Sequence, residues 1–217
     1  FSSAWRGRSD ESTTPAGRRC VRHRRIGIIG DVHGQARRLA KALDSLRDQS
    51  VDAIVSVGDI VDGPESIDEC CDLLIRHHVI AVRGNHERWM FNGQMRSLPD
   101  ATSITFLRRR SRDFLASLPP IRVLPVVGGM VMLSHGVGED DMRELPRRPD
   151  KRLVTTLRRC AVVPSSCVAI ITGHSHRRGS IRIAGTILVE AGTLLPWKGP
   201  CYGILDCTCN SVTFQPV

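Results

Sequence analysis

Five short segments of the sequence combine aspartate, asparagine or histidine with glycine, in patterns that could hold metal ions. They are Gly30-Asp31-Val32-His33-Gly34, Gly58-Asp59-Ile60-Val61-Asp62, Arg83-Gly84-Asn85-His86-Glu87, Ser134-His135-Gly136 and Thr172-Gly173-His174-Ser175-His176. Five of the eight histidines in the chain fall within these segments. One such segment alone would be an ordinary turn, because Asp, Asn and Gly are turn formers. Turn formation does not explain histidine in four of the five segments, so the set indicates a functional site.

The residue types favour divalent cations of hard or borderline character. Asp, Asn and His offer oxygen and nitrogen ligands that suit Mn²⁺, Fe or Zn²⁺, and the segments contain no thiolate. Asp31 and His33 are two residues apart, so their side chains project to the same side of an extended segment. Asp59 has two carboxylate oxygens and could bridge two ions. Two ions about 3.5–4 Å apart can activate water and clamp an in-line displacement at phosphorus.

Each segment follows a short apolar run that is typical of a β-strand. The runs are Ile26–Ile29, Val51–Val57, Val79–Val82, Met130–Leu133 and Val168–Ile171. Helical spacing of leucine, isoleucine and cysteine predicts helices over Gln35–Asp48 and Ser66–His78, between the first three strands. This alternation implies parallel strands joined by crossover helices. Ligands bind beyond the carboxyl ends of such strands, so we expect the five segments to converge.

The remainder of the chain predicts a second sheet and more helix. Gly128-Gly129 and Ala184-Gly185 each separate two apolar runs, which indicates two β-hairpins. Glu87–Leu118 is expected to be helical, with breaks near Gly93 and Pro99. The fold class expected from these elements is α/β, with two sheets face to face and helices outside them.

Composition excludes several classes of protein. The chain has 217 residues, 41% of them hydrophobic, which suits one ordinary domain and is too apolar for a disordered chain. No apolar run approaches the roughly 20 residues that span a bilayer, so we expect no membrane partner. The eight cysteines form no C-x-x-C pair and match neither a disulfide scaffold nor a zinc finger. We expect most of them to be buried apolar side chains.

The positive charge is concentrated at the start of the chain. Residues 1–25 hold seven arginines and two acids, out of a formal net charge of +9 for the whole chain. We expect residues 1–25 to be a disordered basic leader and residues 26–217 to form the domain. This leader and the run Arg108–Arg110 could bind nucleic acid, but no aromatic residues interleave the run, so we expect no nucleic-acid partner. The leader has no secretory apolar stretch, and we expect a cytoplasmic protein.

The motifs G-D-x-H-G, G-D-x-x-D, R-G-N-H-E, S-H-G and G-H-x-H, in this order, resemble those of the calcineurin-like metallophosphoesterase superfamily. The resemblance extends from about Ile26 to the C-terminus. It implies a four-layer αββα sandwich of two mixed β-sheets with helices outside. It also implies two divalent metal ions, for which Mn²⁺ is the first expectation and Fe, Zn²⁺ and Ni²⁺ are alternatives.

The same resemblance assigns roles to individual residues. It implies a first metal held by Asp31, His33, Asp59 and His176. It implies a second metal held by Asp59, Asn85, His135 and His174. His86 matches the family's catalytic histidine, which contacts the phosphoryl group and helps to protonate the leaving oxygen, and Asp62 matches the acid that orients it. A hydroxide that bridges the two metals would be the nucleophile.

One position departs from the pattern of a related branch. Serine/threonine protein phosphatases of this superfamily have G-D-x-x-D-R-G, whose arginine grips phosphate, whereas here Gly63 follows Asp62. The change removes a bidentate phosphate contact and argues against protein phosphatase activity. Four other arginines near the motifs could substitute for it, although each could equally be an ordinary surface residue: Arg88, Arg143, Arg147 and Arg177.

The C-terminal segment favours another branch. Glu190-Ala191-Gly192-Thr193 and the stretch from Gly199 to Asp206 resemble the closing segment of small bacterial and archaeal phosphodiesterases, although those have an N-P-G-S-type turn where Glu190-Ala191 stands here. We therefore predict a phosphodiesterase that acts on a small phosphoester substrate. The alternatives are a phosphomonoesterase or protein phosphatase, a dinucleoside polyphosphate hydrolase, and a non-catalytic scaffold such as the retromer subunit of this fold. The sequence leaves the oligomeric state open.

Overall fold

The computed structural model of the protein describes residues 22–160 and 166–217. Most of the expected leader, residues 1–21, lies outside the described residues. The end of the expected leader is part of the fold, because the backbone N–H of His23 donates to the carbonyl of Pro125 at 3.3 Å and the first strand begins at Arg25. In the two described ranges, no helix has the length and apolarity that a membrane crossing requires.

The described residues form an alternating first half and a strand-rich second half. The elements are β1 (Arg25–Ile29), α1 (Ala36–Asp48), β2 (Ala53–Ser56), α2 (Ile67–Arg76), β3 (Ile80–Ala81), α3 (Asn85–Asn92), a 3₁₀ turn (Ile104–Phe106), α4 (Arg109–Ala116), β4 (Ile121–Val126), β5 (Gly129–Ser134), α5 (Lys151–Cys160), β6 (Cys167–Thr172), β7 (Arg178–Ile183), β8 (Thr186–Ala191), a 3₁₀ turn (Pro196–Lys198), β9 (Cys201–Asp206) and β10 (Ser211–Pro216).

The strands make two mixed five-stranded sheets. The first has the order β10-β9-β1-β2-β3, in which β1, β2 and β3 are parallel and β9 and β10 extend the sheet in antiparallel fashion. The second has the order β4-β5-β6-β8-β7, in which β5, β6 and β8 are parallel and the two edges are hairpins. The predicted α/β architecture of two mixed sheets is confirmed.

Buried apolar side chains form three clusters, one between the two sheets and one under the helices on the outer face of each sheet. Between the sheets, Val55 and Val57 of the first pack with Leu133 and Ile171 of the second. Helices α1, α2 and α4 cover the outer face of the first sheet, and α5 covers the outer face of the second. The order of layers is therefore helix, sheet, sheet, helix.

Helix α1 illustrates how the sequence sets this packing. Leu39, Leu43 and Leu46 recur at helical spacing and are fully buried. Gly27 in β1 lets the helix approach closely, since an added Cβ there would lie 2.8 Å from a methyl carbon of Leu46. The helix thus fixes the position of β1 and of the motif that follows it.

The central stretch is less helical than the sequence predicts. Only α3, the 3₁₀ turn and α4 are helical within it, and residues 93–103 are irregular. Gly93 ends α3 in the left-handed conformation, with φ 67°, and Met95 and Asp100 also have positive φ. This irregular segment runs past the end of β2, where it contributes to the site described next.

Candidate metal centre

The five motifs lie at the carboxyl ends of strands from both sheets. Asp31 and His33 follow β1, Asp59 and Asp62 follow β2, Asn85 and His86 follow β3, His135 follows β5, and His174 and His176 follow β6. Direct contacts join the two sheets there: the Nδ1 atom of His135 lies 2.7 Å from the carbonyl oxygen of Val57. The backbone N–H of His174 donates to Asp31 at 3.3 Å. The predicted convergence of the five motifs is therefore confirmed.

Several site residues adopt the left-handed backbone conformation, which residues other than glycine usually avoid. They have φ between 44° and 64° and are His33, Asp59, Asp62, His174 and His176. The left-handed region costs about 1–3 kcal/mol for a non-glycine residue, and such strain is concentrated at functional sites. The sheets on either side hold these turns in place and aim the side chains inward.

Two groups of potential ligand atoms share the carboxylate of Asp59. In each group these atoms lie within 4.8 Å of one another, and the groups are His33, Asp59 and His176, and Asp59, His135 and His174. The Nε2 atom of His33 lies 3.1 Å from that of His176. In the second group, the Nε2 atom of His135 is 3.3 Å from Oδ2 of Asp59.

The two remaining predicted ligands border these groups. The side-chain oxygen of Asn85 lies 2.9 Å from Nε2 of His135 and 3.0 Å from Nδ1 of His174. The Oδ2 atom of Asp31 lies 3.3 Å from Nε2 of His176. The structure thus brings all seven predicted metal ligands into one cluster.

A buried carboxylate oxygen indicates that this cluster suits cations. Asp31 is fully buried, and its Oδ2 atom has no hydrogen-bond donor among the described residues. An unsatisfied buried oxygen is costly, and a cation would satisfy it. Nitrogen and oxygen donors that converge without a thiolate fit divalent Mn, Fe or Zn.

Burial and neighbouring charge set the protonation of the cluster. Burial raises the pKa of Asp59, but His135 and His33 outweigh this effect and hold it below its usual range. Burial raises the pKa of Asp31 despite the nearby His135. Burial also lowers the pKa of His176 to about 4, with a contribution from His33. Neutral imidazole is the form that binds metals, so this histidine is ready to act as a ligand.

His86 lies beside the cluster and is tied to Asp62. Its Nδ1 atom lies 2.7 Å from Oδ2 of Asp62, and its backbone N–H donates to Asp59 at 3.0 Å. The His86 ring packs against Trp89, with ring centroids 4.7 Å apart. Burial lowers the pKa of His86, but the hydrogen bond to Asp62 and the charges of Asp59, Asp62 and Glu87 together outweigh it, so the pKa lies above its usual value.

Two charged residues of this site were not predicted from the sequence. Arg96 donates to Asp62 from Nη2 at 2.9 Å and from Nη1 at 3.1 Å. Burial raises the pKa of Asp62, but His86 and Arg96 hold it at about 2. Arg96 belongs to the irregular segment 93–103, where no periodicity or spacing marks it.

Glu87 is the second unpredicted residue, although it belongs to a quoted motif. It is fully buried, and its carboxylate accepts backbone N–H groups from the turn after β2 and from the start of α3. The donors are Asp59 at 3.0 Å, Ile60 at 2.7 Å, Val61 at 3.1 Å and Gly84 at 2.7 Å. Glu87 therefore fixes the turn that carries Asp59 against the turn that carries Asn85 and His86.

Comparison with known proteins identifies the family. The profile of the calcineurin-like phosphoesterase superfamily domain matches residues 25–210. The chain belongs to the calcineurin-like phosphoesterase superfamily. Its members are metal-dependent phosphoesterases, which agrees with the predicted hydrolase and with the cluster of His and Asp side chains.

Individual relatives of the superfamily were found by sequence and by structure. The chain is 41% identical over 76 residues to serine/threonine-protein phosphatase 1 of Salmonella typhimurium. These aligned residues make up 34% of this chain and 35% of that protein. The chain thus spans about a third of the length of the curated relatives that it matches.

The structural similarity extends over most of the chain. The crystal structure of a metallophosphoesterase from Sphaerobacter thermophilus has a TM-score of 0.67 at 24% identity, and covers 89% of this chain and 87% of that one. An archaeal phosphodiesterase has a TM-score of 0.58 at 16% identity, with 89% and 99% of the two chains covered. At these identities the similarity supports the calcineurin-like fold alone.

The turn after Asp62 has Gly63 where the serine/threonine phosphatase pattern has arginine. An added Cβ at Gly63 would lie 1.8 Å from the carbonyl oxygen of His33 and 2.8 Å from the nitrogen of Gly34. The backbone of the first motif therefore packs directly on Gly63. With this backbone, the arginine of the G-D-x-x-D-R-G pattern has no space.

The arginines considered as substitutes have other partners or lie on the surface. Arg88 donates to both oxygens of Asp141, at 2.7 and 2.8 Å, and Arg177 pairs with Glu190 at 2.8 Å and Glu144 at 3.0 Å. Both arginines thereby hold the segment 137–150 beside the site. Arg143 and Arg147 lie exposed on that segment.

The run Arg108–Arg110 is partly neutralised by neighbouring acids. Arg108 pairs with Asp72 at 2.6 Å, Arg110 lies 3.9 Å from the same carboxylate, and Arg109 lies 3.6 Å from Asp113. These ion pairs reduce the positive field that a polynucleotide would require.

Proposed function

We propose that the protein hydrolyses phosphoester bonds at a dinuclear divalent-metal centre, and that it prefers phosphodiesters. The observation that carries this proposal is the sharing of Asp59 by two groups of ligand atoms beside His86. Phosphoester hydrolysis is the reaction of the superfamily to which the chain belongs. Mn²⁺ is the metal we propose first, with Fe, Zn²⁺ and Ni²⁺ as alternatives that also suit carboxylate, amide and imidazole donors.

The chain's own residues would hold two ions in the arrangement predicted from the resemblance. Asp31, His33 and His176 would hold one and Asn85, His135 and His174 the other, with Asp59 between them. Bound there, the ions would polarise the phosphoryl group and lower the pKa of water. Glu87 fixes the backbone on both sides of Asp59, so the donors are held in place before substrate arrives.

His86 would handle the proton of the leaving group. Its Nδ1 atom is engaged by Asp62, which leaves Nε2 facing the cluster, 3.9 Å from Oδ2 of Asp59. Protonated at Nε2, the imidazole would donate to the oxygen that departs from phosphorus. The backbone hydrogen bond from His86 to Asp59 keeps this ring close to the substrate position.

The preference for diesters follows from the supply of positive charge. A monoester dianion needs more cationic contacts than a diester monoanion, and arginine is well suited to supply them. Gly63 leaves no space for the arginine of the phosphatase pattern, and Arg88 and Arg177 are held by carboxylates. A site in which these arginines are absent or already paired favours a substrate with a single negative charge.

A second candidate function is hydrolysis of phosphomonoesters, including those of proteins. The 41% identity over 76 residues to a serine/threonine-protein phosphatase favours it. Hydrolysis of dinucleoside polyphosphates would use the same site. A non-catalytic scaffold is disfavoured, because all seven ligand positions and His86 are present and converge.

The test is a substrate and metal panel on the purified chain. After chelation, Mn²⁺, Zn²⁺ and Ni²⁺ are added separately to assays of bis-p-nitrophenyl phosphate, p-nitrophenyl phosphate and a dinucleoside polyphosphate. We expect metal-dependent cleavage that is fastest with the diester. It should be lost in His86→Ala, which would remove a contact with the phosphoryl group as well as the proton donor, but not in the control His77→Ala. Removal of residues 1–21 should leave the rate unchanged, since we propose that the domain alone carries the activity. Failure of every metal to support cleavage would refute the proposal.

A further inference from the structure

The carboxylate behind His86 is held by more donors than an orienting acid requires. One oxygen of Asp62 accepts from His86 at 2.7 Å and from Arg96 at 2.9 Å. The other accepts from Arg96 at 3.1 Å and from the backbone N–H of Thr102 at 2.7 Å. The Asp62 side chain is only 2% exposed. Both oxygens are therefore fully engaged, and the carboxylate has one orientation.

Arg96 is itself fixed from behind. Its Nε atom donates to the carbonyl of Gln94 at 2.6 Å, and Nη1 also donates to the carbonyl of Thr102 at 3.0 Å. A guanidinium has five N–H groups, and these contacts with Asp62, Gln94 and Thr102 use four of them. The one N–H group that remains cannot bind a phosphate bidentately while Arg96 holds Asp62. The geometry thus separates Arg96 from the phosphate-gripping arginine of the phosphatase pattern.

The same segment also supports the backbone of Asp62. The N–H of Asp62 donates to the hydroxyl of Thr102 at 2.8 Å, and Asp62 has a left-handed φ of 60°. Residues 94–102 therefore form a clamp around Asp62, with Arg96 on its side chain and Thr102 on both its side chain and its backbone. Without the clamp, the strained turn and the carboxylate could rotate away from His86.

We propose that Arg96 is a positioning residue for this hydrolase, which acts through Asp62 to keep Nε2 of His86 directed at the leaving oxygen. The inference rests on the proposed function, in which His86 protonates that oxygen. It predicts a specific defect: loss of Arg96 should slow substrates whose leaving group needs a proton far more than substrates whose leaving group departs as a stable anion.

The test compares two diesters. Bis-p-nitrophenyl phosphate releases a stabilised anion, and diphenyl phosphate releases a poorer leaving group. For Arg96→Gln we expect kcat on diphenyl phosphate to fall about 10- to 100-fold, as for loss of a group that orients a ligand. We expect a loss of less than about 3-fold with the nitrophenyl ester, an unchanged KM and unchanged metal content. Arg96→Lys should restore part of the kcat on diphenyl phosphate.

Two comparisons guard against a merely structural effect. The control Arg108→Gln removes an exposed arginine that also pairs with a carboxylate, and it should not alter the ratio of the two rates. In the background of His86→Asn, Arg96→Gln should have no further effect, because residues that act as a unit are not additive. If Arg96→Gln does not fold, the same ratio and the same cycle are measured with Arg96→Lys.

Three outcomes would overturn the inference: an equal loss on both esters, an additive loss in the double variant, or a rise in KM that exceeds the fall in kcat. Inactivity of the wild-type protein on both esters with every metal would instead refute the proposed function. The two failures are therefore distinguishable.

Discussion

The two halves of the site are built in different ways. The inner half, with Asp31, Asp59 and His135, lies where the two sheets meet, and these residues are at most 1% exposed. The outer half, with His86 and Arg96, depends on the irregular segment 93–103, and their side chains are 17% and 26% exposed. The inner half is thus held by both sheets, whereas the outer half is held by one clamp of hydrogen bonds.

This difference separates two kinds of defect. Substitutions in the inner half should reduce metal content or the free energy of unfolding, because many buried contacts depend on each residue. Substitutions in the outer half should leave metal content unchanged and reduce the rate. Four substitutions test this division, in order of decreasing effect.

Asp59→Asn should have the largest effect. The two groups of ligand atoms share this carboxylate, and loss of metal activation worth several kcal/mol corresponds to a fall in kcat of roughly 1,000-fold or more. Metal content by mass spectrometry should fall with the rate at saturating Mn²⁺. Equal residual rates for Asp59→Asn and Asp62→Asn would contradict the division.

Glu87→Gln should destabilise the inner half without touching a proposed ligand. Each carboxylate oxygen of Glu87 accepts two backbone N–H groups, so an amide leaves two buried donors unsatisfied in either orientation. We expect the free energy of unfolding to fall by about 3 kcal/mol, measured by urea denaturation. Glu139→Gln, on an exposed loop, is the control and should not change it.

Gly63→Ala should disturb the turn that joins the first two motifs. The added methyl would lie 1.8 Å from the carbonyl oxygen of His33, so the backbone that carries this proposed ligand must move. We expect a loss of about 1–3 kcal/mol in unfolding free energy and weaker metal retention. Gly179→Ala is the matched control, because a Cβ at Gly179 has no atom within 4 Å. A stable, fully metallated Gly63→Ala protein would show that the packing is not tight.

Asp62→Asn should have the smallest and most selective effect. The amide cannot accept from Arg96, Thr102 and His86 as the carboxylate does, so the imidazole loses its fixed orientation. We expect kcat on diphenyl phosphate to fall about 10- to 100-fold, with metal content close to that of the wild type. A loss of bound metal in this variant would place Asp62 in the inner half.

The sequence determined the parts of the site that depend on local pattern. An apolar β-branched run followed by Gly and Asp specifies a strand and its turn, wherever the strand lies in the sheet. Such runs, together with the order of the motifs, were enough to predict the sheets, the family and a cluster of seven residues. The predicted break near Gly93 is confirmed, since Gly93 ends α3, but the prediction of helix between that break and Pro99 was wrong, because the residues beyond Gly93 follow contacts with Asp62.

Only the tertiary structure determines the roles that rest on contacts between residues far apart in the sequence. Arg96 is 34 residues from Asp62 along the chain, and nothing in its neighbours marks it as the partner of that acid. Gly63 excludes a side chain only because the carbonyl of His33 lies against it. Glu87 acts on the turn after β2 because four N–H groups from two turns point to one place. These roles depend on contacts between segments that are distant along the chain. The order of residue types in the sequence does not specify those contacts.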